Sequence, residues 1–178
     1  MSSIEKTPEA HISSLKESFK GSLKDVRHEQ FSHGKKKTTL HNIWVTIARE
    51  HYKDLVKHLM TIEKYPHFAV SSGYQVDNTI FIVNHFTLFH GKKGREVTLN
   101  VTVPLPVSDP TIDTITDLIP GALISEQEKQ EMLGIKVKGI PKDSRVFISS
   151  DFPEGMYPWR KDDTGAEKMA RNLHEVEK

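Results

Sequence analysis

The chain has 178 residues, which is enough for one domain with its own hydrophobic core. Its 25 basic and 24 acidic residues leave a formal net charge of +1, which argues against long-range attraction to nucleic acid or anionic lipid. Cysteine is absent, which excludes disulfide bonds and thiolate ligation of an iron–sulfur cluster or a nickel–iron centre on this chain.

The first part of the chain predicts a helix, two strands and a second helix. Apolar residues at helical spacing predict a helix within 8–20, and residues 22–30 suit a strand. Alternation over 40–48 places Ile43, Val45 and Ile47 on one face of the next strand. Beyond Glu50 the apolar period becomes that of a helix with one apolar face, which we expect to cover a sheet.

The central part predicts three strands that pair antiparallel. Alternation runs over 68–76, a turn follows, and 79–90 is the most hydrophobic strand. The return strand, from Val97 to Val103, alternates apolar and polar residues, so one face is expected to be buried and the other wet. Pro110 follows Asp109 as a first-turn proline after an N-cap, which predicts a helix over 110–119 with Ile112, Ile115, Leu118 and Ile119 facing inward.

A short acidic helix is predicted between Ser125 and Gly134. Ser125 and Glu128 have the spacing of a capping box, and Gly134 can supply the left-handed residue that ends a helix. The helix would run for about eight residues from Glu126, fewer than the ~12 to 15 that a lone helix needs in water. Because only its last two residues can enter a core, we expect an exposed, charged helix.

The segment 151–162 is predicted to be irregular and exposed, since Pro153 and Gly155 fit a turn. It combines Phe, Met, Tyr, Trp and Arg, the composition of a binding hot spot. Two interpretations remain open: the segment docks against another protein, or it is a loop folded back on its own core.

No catalytic, cofactor-binding or metal-binding residue is predicted on this chain. Glu126 and Glu128 would point about 200° apart on a helix, which suits separate contacts better than one active site. His85 and His90 would point to opposite faces of a strand, so they cannot share a metal ion in regular geometry. His51 and His58 share a helix side but lie two turns apart, too far for one ion.

The order and period of these elements predict an α+β fold, a mainly antiparallel β-sheet packed by helices on one face with an extended C-terminal region. We expect one structural domain. Within it, 1–109 would form the sheet part, 110–162 a docking region, and 163–178 a C-terminal helix or tail.

The region 110–162 also carries a resemblance. Its residues in order are Pro110, Thr111, Asp117, Pro120-Gly121-Ala122, Glu126-x-Glu128, Met132-x-Gly134-Ile135, Gly139-x-Pro141, Asp151 and Pro158-x-Arg160-Lys161-Asp162. This run resembles the signature of the 30 kDa subunit family of respiratory complex I, which extends to related membrane-bound hydrogenases. Departures from the usual family residues, at 127, 131, 133 and 140–145, are more similar to the archaeal ferredoxin-linked hydrogenase branch.

The resemblance implies a non-catalytic subunit in the peripheral arm of a membrane-bound, ferredoxin-linked energy-converting hydrogenase. Its partners would be the large 49 kDa-type or nickel–iron subunit and neighbouring iron–sulfur subunits, which would hold the nickel–iron centre and the clusters. No apolar stretch approaches the ~20 residues of a membrane span, and the polar start at Met1 is unlike a signal peptide. We therefore expect a peripheral position on the cytoplasmic side of the membrane, held through partner subunits.

Other functions remain open at this point. The chain could be the equivalent subunit of an NADH or reduced-cofactor:quinone oxidoreductase, or of an archaeal sulfur-reducing complex. More distant alternatives are an RNA-binding α+β module using Lys35 to Lys37, although no nucleic-acid partner is expected, and a free-standing hydrolase using the two glutamates.

Seven residues are predicted to clamp the large subunit. Two would act as ion-pair or cap partners, two as aromatic anchors and three as the charged end of the clamp. In that order they are Glu126 and Glu128, Tyr157 and Trp159, and Arg160, Lys161 and Asp162.

Overall fold

The computed structural model describes residues 8–169 except 36, 93, 142 and 143. Within this part of the chain lie three α-helices, α1 (Pro8–Ser18), α2 (Arg49–Ile62) and α3 (Leu123–Leu133). The strands are β1 (Leu23–His33), β2 (Thr38–Ile47), β3 (His67–Val76), β4 (Thr79–Leu88), β5 (Val97–Pro106), β6 (Thr111–Asp113) and β7 (Lys136–Lys138). Short 3-10 turns occupy Pro120–Ala122 and Ala166–Met169, and the remainder of the predicted C-terminal helix or tail, 170–178, lies outside the described residues.

Five strands form one sheet in the order β1-β2-β5-β4-β3. All neighbours pair antiparallel except β2 and β5, which run parallel. A parallel pair needs a crossover connection, and α2 lies on the path from β2 back to β5. The predicted α+β class with a mainly antiparallel sheet is therefore confirmed. None of the described helices combines the length and apolar character needed to cross a bilayer.

The hydrophobic core lies on one face of this sheet. The apolar side of α2 covers that face, as its spacing predicts, and every buried residue of the helix except its polar-tipped tyrosine is aliphatic. The inward face of β2 is also the predicted one. The buried residues of the two elements are Tyr52, Leu55, Val56 and Leu59 on α2 and Ile43, Val45 and Ile47 on β2.

In the edge strand β3, the alternating apolar residues face away from the helix-covered side of the sheet. Ser71 and Gln75 are buried, and Gly73 pairs with Ile82 on the helix-covered face. That face has little room because α3 passes close to it: a Cβ at Gly73 would lie 2.6 Å from Leu133 Cδ1. The apolar residues on the outer face, each about half exposed, are Val70, Tyr74 and Val76.

The prediction of a helix over 110–119 is wrong. Residues Thr111–Asp113 form β6, which pairs in parallel with β7, a strand that the alternation did not reveal. Asp109 accepts a hydrogen bond from the Thr111 hydroxyl at 2.6 Å, so it caps a turn into a strand and not a helix. Ile112 and Ile115 are buried nonetheless. The apolar spacing correctly identified inward-facing residues but not the backbone that carries them.

Candidate docking site around the third helix

Helix α3 begins earlier than the predicted capping box. It runs over 11 residues from Leu123, and its N-cap, Ala122, has no side-chain hydrogen bond. Ser125 therefore lies inside the helix, and the Glu128 carboxylate contacts Lys129 and not the Ser125 amide. The predicted end is confirmed, because Gly134 has φ 66° and its N–H donates to the Gln130 carbonyl.

The expectation of an exposed, charged helix is also wrong. Gln127, Lys129 and Glu131 are at most 9% exposed, although all three are polar. The helix packs against β3 on one side, and the segment 144–148 contacts Gln127 and Glu131 on another. Polar side chains can be buried here because each has a hydrogen-bond partner in these neighbouring segments or on the helix.

The Glu126 carboxylate fixes the extended segment that precedes α3. One of its oxygens accepts from the Thr114 hydroxyl at 2.5 Å, and the other accepts from the Ile115 N–H at 2.8 Å. Desolvation raises the pKa of Glu126, although the hydrogen bonds from Ile115 and Thr114 act in the opposite direction. The Glu126 carboxylate therefore binds this chain's own backbone, and its predicted contact with another subunit stays a prediction.

The carboxylate of Glu131 organises the segment after β7. It accepts from three successive backbone N–H groups, those of Val146, Phe147 and Ile148, at 2.5, 2.9 and 2.7 Å. Successive N–H groups that converge in this way form an anion-binding concavity. Residues 145–149 do not form a strand, because three of their N–H groups turn toward this carboxylate. No spacing in the sequence indicates this contact.

Lys129 lies between an acidic and an aromatic side chain. It is 1% exposed, its ammonium contacts the Glu128 carboxylate, and the ammonium lies 5.2 Å from the centroid of the Trp159 ring. The side chain of Glu128 is 28% exposed and Trp159 is 37% exposed. The buried cation thus holds two predicted docking residues at the surface.

The C-terminal loop closes over the end of α3. Trp159 donates its backbone N–H to the Met132 carbonyl at 2.9 Å. The Tyr157 ring lies on Gly134 so closely that a Cβ there would be 2.5 Å from the ring. A residue other than glycine at 134 would therefore meet both the positive φ and this ring. The loop position depends on the same glycine that ends the helix.

Arg160 and Asp162 tie this loop to both α3 and β3. Arg160 is 7% exposed and donates from Nη1 to the Leu133 carbonyl at 3.3 Å. Its Nε and Nη2 lie 3.0 and 2.9 Å from Asp162 Oδ2. The same carboxylate accepts from Gln75 Nε2 at 3.1 Å, and Gln75 Oε1 accepts from the Lys161 N–H at 2.9 Å. Within this chain, the loop is folded back on its own sheet.

The seven predicted docking residues thus divide into two sets. The side chains of three hydrogen-bond to this chain's own backbone, although one of these, Asp162, is also 30% exposed. The other four present at least part of their side chain to solvent. Contact of any of them with another subunit stays a prediction. The first set is Glu126, Arg160 and Asp162, and the second is Glu128, Tyr157, Trp159 and Lys161.

The Asp162 carboxylate is expected to stabilise the loop in a pH-dependent way. Partial desolvation raises its pKa, but hydrogen bonds from Thr164, Gln75 and Arg160 outweigh this and lower the pKa from 3.8 to about 2. The stabilisation is therefore present above the unfolded-state value and is lost as the pH falls through about 2. Asp162→Asn should flatten the pH dependence of the urea midpoint across that range. An unchanged slope would contradict the assignment.

Comparison with known proteins identifies a family and several relatives. Residues 45–169 match the family described as the respiratory-chain NADH dehydrogenase, 30 kDa subunit. The chain is 34% identical over 131 residues to the membrane-bound hydrogenase subunit beta of Pyrococcus furiosus. That alignment covers 73% of this chain and 75% of that subunit. It is 38% identical over 81 residues to a subunit of the NADH-quinone oxidoreductase of Herpetosiphon aurantiacus, covering 46% and 44% of the two chains.

The fold is similar to that of a solved subunit. A chain in the structure of the membrane-bound sulfane sulfur reductase, an archaeal respiratory membrane complex, aligns with a TM-score of 0.68 at 16% identity. The alignment covers 96% of this chain and 95% of that one. The family match runs from β2 through the C-terminal loop and includes the whole region whose residues resemble the signature. This protein therefore belongs to the 30 kDa subunit family of the respiratory-chain NADH dehydrogenase.

Proposed function

We propose that this chain is a non-catalytic subunit in the peripheral arm of a membrane-bound, ferredoxin-linked hydrogenase complex, where it docks on the large nickel–iron subunit. The 34% identity to a membrane-bound hydrogenase subunit beta supports this choice among complexes. The complex would be held on the cytoplasmic side of the membrane by its other subunits. Because this chain has no cysteine, clusters and the nickel–iron centre would belong to partner subunits.

The observation that carries the docking proposal is the fixed position of the C-terminal loop against α3. Arg160 and Asp162 hold the backbone from two sides, so Trp159 and Lys161 are presented in one arrangement. A surface that is already ordered loses less conformational entropy when a partner binds. Aromatic and charged residues on such a surface are typical of binding hot spots.

The division between internal and exposed residues gives each a role in the proposal. Glu126, Arg160 and Asp162 position the docking surface. Glu128, Trp159 and Lys161 contact the partner, with Tyr157 as a partly exposed support beside Gly134. The large subunit would therefore present a basic group near Glu128 and an acidic group near Lys161.

The proposal is tested by purifying the tagged chain from detergent-solubilised membranes of its own cells. The expected result is recovery of a nickel-containing large subunit with the wild-type chain. Lys161→Glu should lower that recovery because it reverses an exposed charge on the docking surface. Lys16→Glu, an equal charge change on the exposed side of α1, should leave it unchanged. Equal recovery with both variants, or no large subunit with the wild type, would contradict the proposal.

The equivalent subunit of an NADH:quinone oxidoreductase is a second candidate. It is favoured by the 38% identity to a subunit of an NADH-quinone oxidoreductase, although that match covers 46% of this chain. The same purification separates the two functions. A large partner without nickel, accompanied by NADH-dependent quinone reduction, would support the second candidate over the first.

A further inference from the structure

Three metal-binding side chains from separate elements converge at the β1 edge of the sheet. Glu9 comes from the first turn of α1, His28 from β1 and His41 from β2. One ligand atom from each lies within 4.8 Å of the others. The docking surface of α3 and the C-terminal loop lies against β3, the opposite edge. This cluster is therefore separate from the site described above.

The register of the β1–β2 hairpin brings the two imidazoles together. His28 lies opposite Ile43, and His41 lies opposite Gln30, so the two histidines are diagonal neighbours on one face. Their rings are stacked with centroids 5.2 Å apart and planes 17° apart. Nε2 of His28 and Nδ1 of His41 are separated by 3.0 Å. One nitrogen of each imidazole thus lies close enough to the other for both to reach one ion.

This separation is close to what one metal ion requires. Zinc binds imidazole nitrogen at about 2.0 to 2.1 Å in tetrahedral geometry, which puts two such nitrogens roughly 3.3 Å apart. The observed 3.0 Å is within a few tenths of an ångström of that value. Small side-chain rotations would open the pair to an ion, and the carboxylate of Glu9 is already within reach.

One surrounding contact favours metal binding. Gln30 Nε2 donates to the Glu9 carboxylate at 3.3 Å, and contacts of this kind orient a ligand that faces a metal.

We propose that Glu9, His28 and His41 bind one divalent transition-metal ion of the zinc type, with water completing the coordination. Two imidazoles and one carboxylate suit such an ion, whereas magnesium and calcium prefer oxygen ligands. The ion joins the start of α1 to the β1–β2 hairpin. Its role is structural: it fixes the N-terminal helix against the edge of the sheet.

The test uses the full chain without a polyhistidine tag, freed of metal with a chelator. Titration with zinc chloride in a calorimeter should show one equivalent bound, and zinc should raise the thermal midpoint. Removal of groups that merely support metal ligands costs 10- to 100-fold in affinity. His28→Ala or His41→Ala should therefore lower zinc affinity by at least about 100-fold. His51→Ala, an exposed histidine on α2, is the matched control and should bind zinc as the wild type does.

The melting curves in chelator show whether each variant is folded. If a histidine variant does not fold, Glu9→Gln replaces it, since Glu9 is exposed in the first turn of α1. The visible absorption of the cobalt-loaded chain then reports the loss of a carboxylate ligand. Absence of stoichiometric zinc binding by the wild type, or undiminished binding by the ligand variants, would overturn the proposal. In that case the two imidazoles share a hydrogen bond only.

Discussion

Arg160→Ala is expected to release the C-terminal loop from α3 and to lower the free energy of unfolding by about 3 to 5 kcal/mol. The Arg160 guanidinium is buried and bridges the Leu133 carbonyl and the Asp162 carboxylate. Its removal leaves both acceptors without that donor and takes a neutralising charge away from a carboxylate that is 30% exposed. Breaking one partner of such a pair costs more than the pair itself contributes.

The sheet of the Arg160→Ala variant should remain folded, because none of the strand pairings of the five-stranded sheet uses this side chain. Urea denaturation measures the loss of stability, near-UV circular dichroism reports the position of Trp159, and far-UV circular dichroism reports the sheet. Arg145→Ala is the matched control. Its guanidinium is exposed and bonds to the carbonyls of Ser149 and Phe152, so its effect should stay within about 0.5 kcal/mol.

The same variant tests the docking proposal. If the loop must be held in place to bind the large subunit, Arg160→Ala should lose that subunit during purification from membranes. Arg160→Lys keeps the charge but loses the planar fork that contacts two acceptors, so it should recover only part of the stability. Recovery of Arg160→Ala with its complex at the wild-type yield would contradict the role of the loop.

The elements of the sheet could be predicted from the sequence because each one carries its own period. The alternation of Ile43, Val45 and Ile47 and the helical spacing from Tyr52 to Leu59 reflect burial on one face of one element. Such patterns are local. The helix expected over 110–119 failed for the opposite reason, since its backbone is set by pairing with β7, which lies more than twenty residues further along the chain.

The candidate site could be predicted only in part. Its location in 110–162 follows from the residues that resemble the family signature, and Gly134 ends α3 as expected. The burial of Lys129 and Glu131 could not be predicted, because their partners come from Trp159 and from the backbone of 146–148. The pairing of His28 with His41 required the register of the β1–β2 hairpin, which the local periodicity of the two strands does not fix.

The last prediction separates an internal role of Glu128 from a docking role. Glu128→Ala leaves the ammonium of Lys129 buried without its carboxylate, which should lower the free energy of unfolding by about 3 kcal/mol. Lys129→Met fills a similar volume and needs no counter-charge. The double variant Glu128→Ala/Lys129→Met should therefore return close to wild-type stability in urea, since replacing a buried ion pair by apolar groups is often neutral.

Restored stability makes the purification of this double variant decisive for Glu128. If the Glu128 carboxylate contacts a basic group on the large subunit, the double variant should lose that subunit during purification although its own stability is restored. Lys129→Met alone removes the same ammonium from beside Trp159 but keeps Glu128, which is 28% exposed, so it should be recovered with more of the subunit than the double variant. Equal recovery of both variants with the large subunit would show that Glu128 serves only its buried lysine. The docking contacts would then lie with Trp159 and Lys161 on the loop.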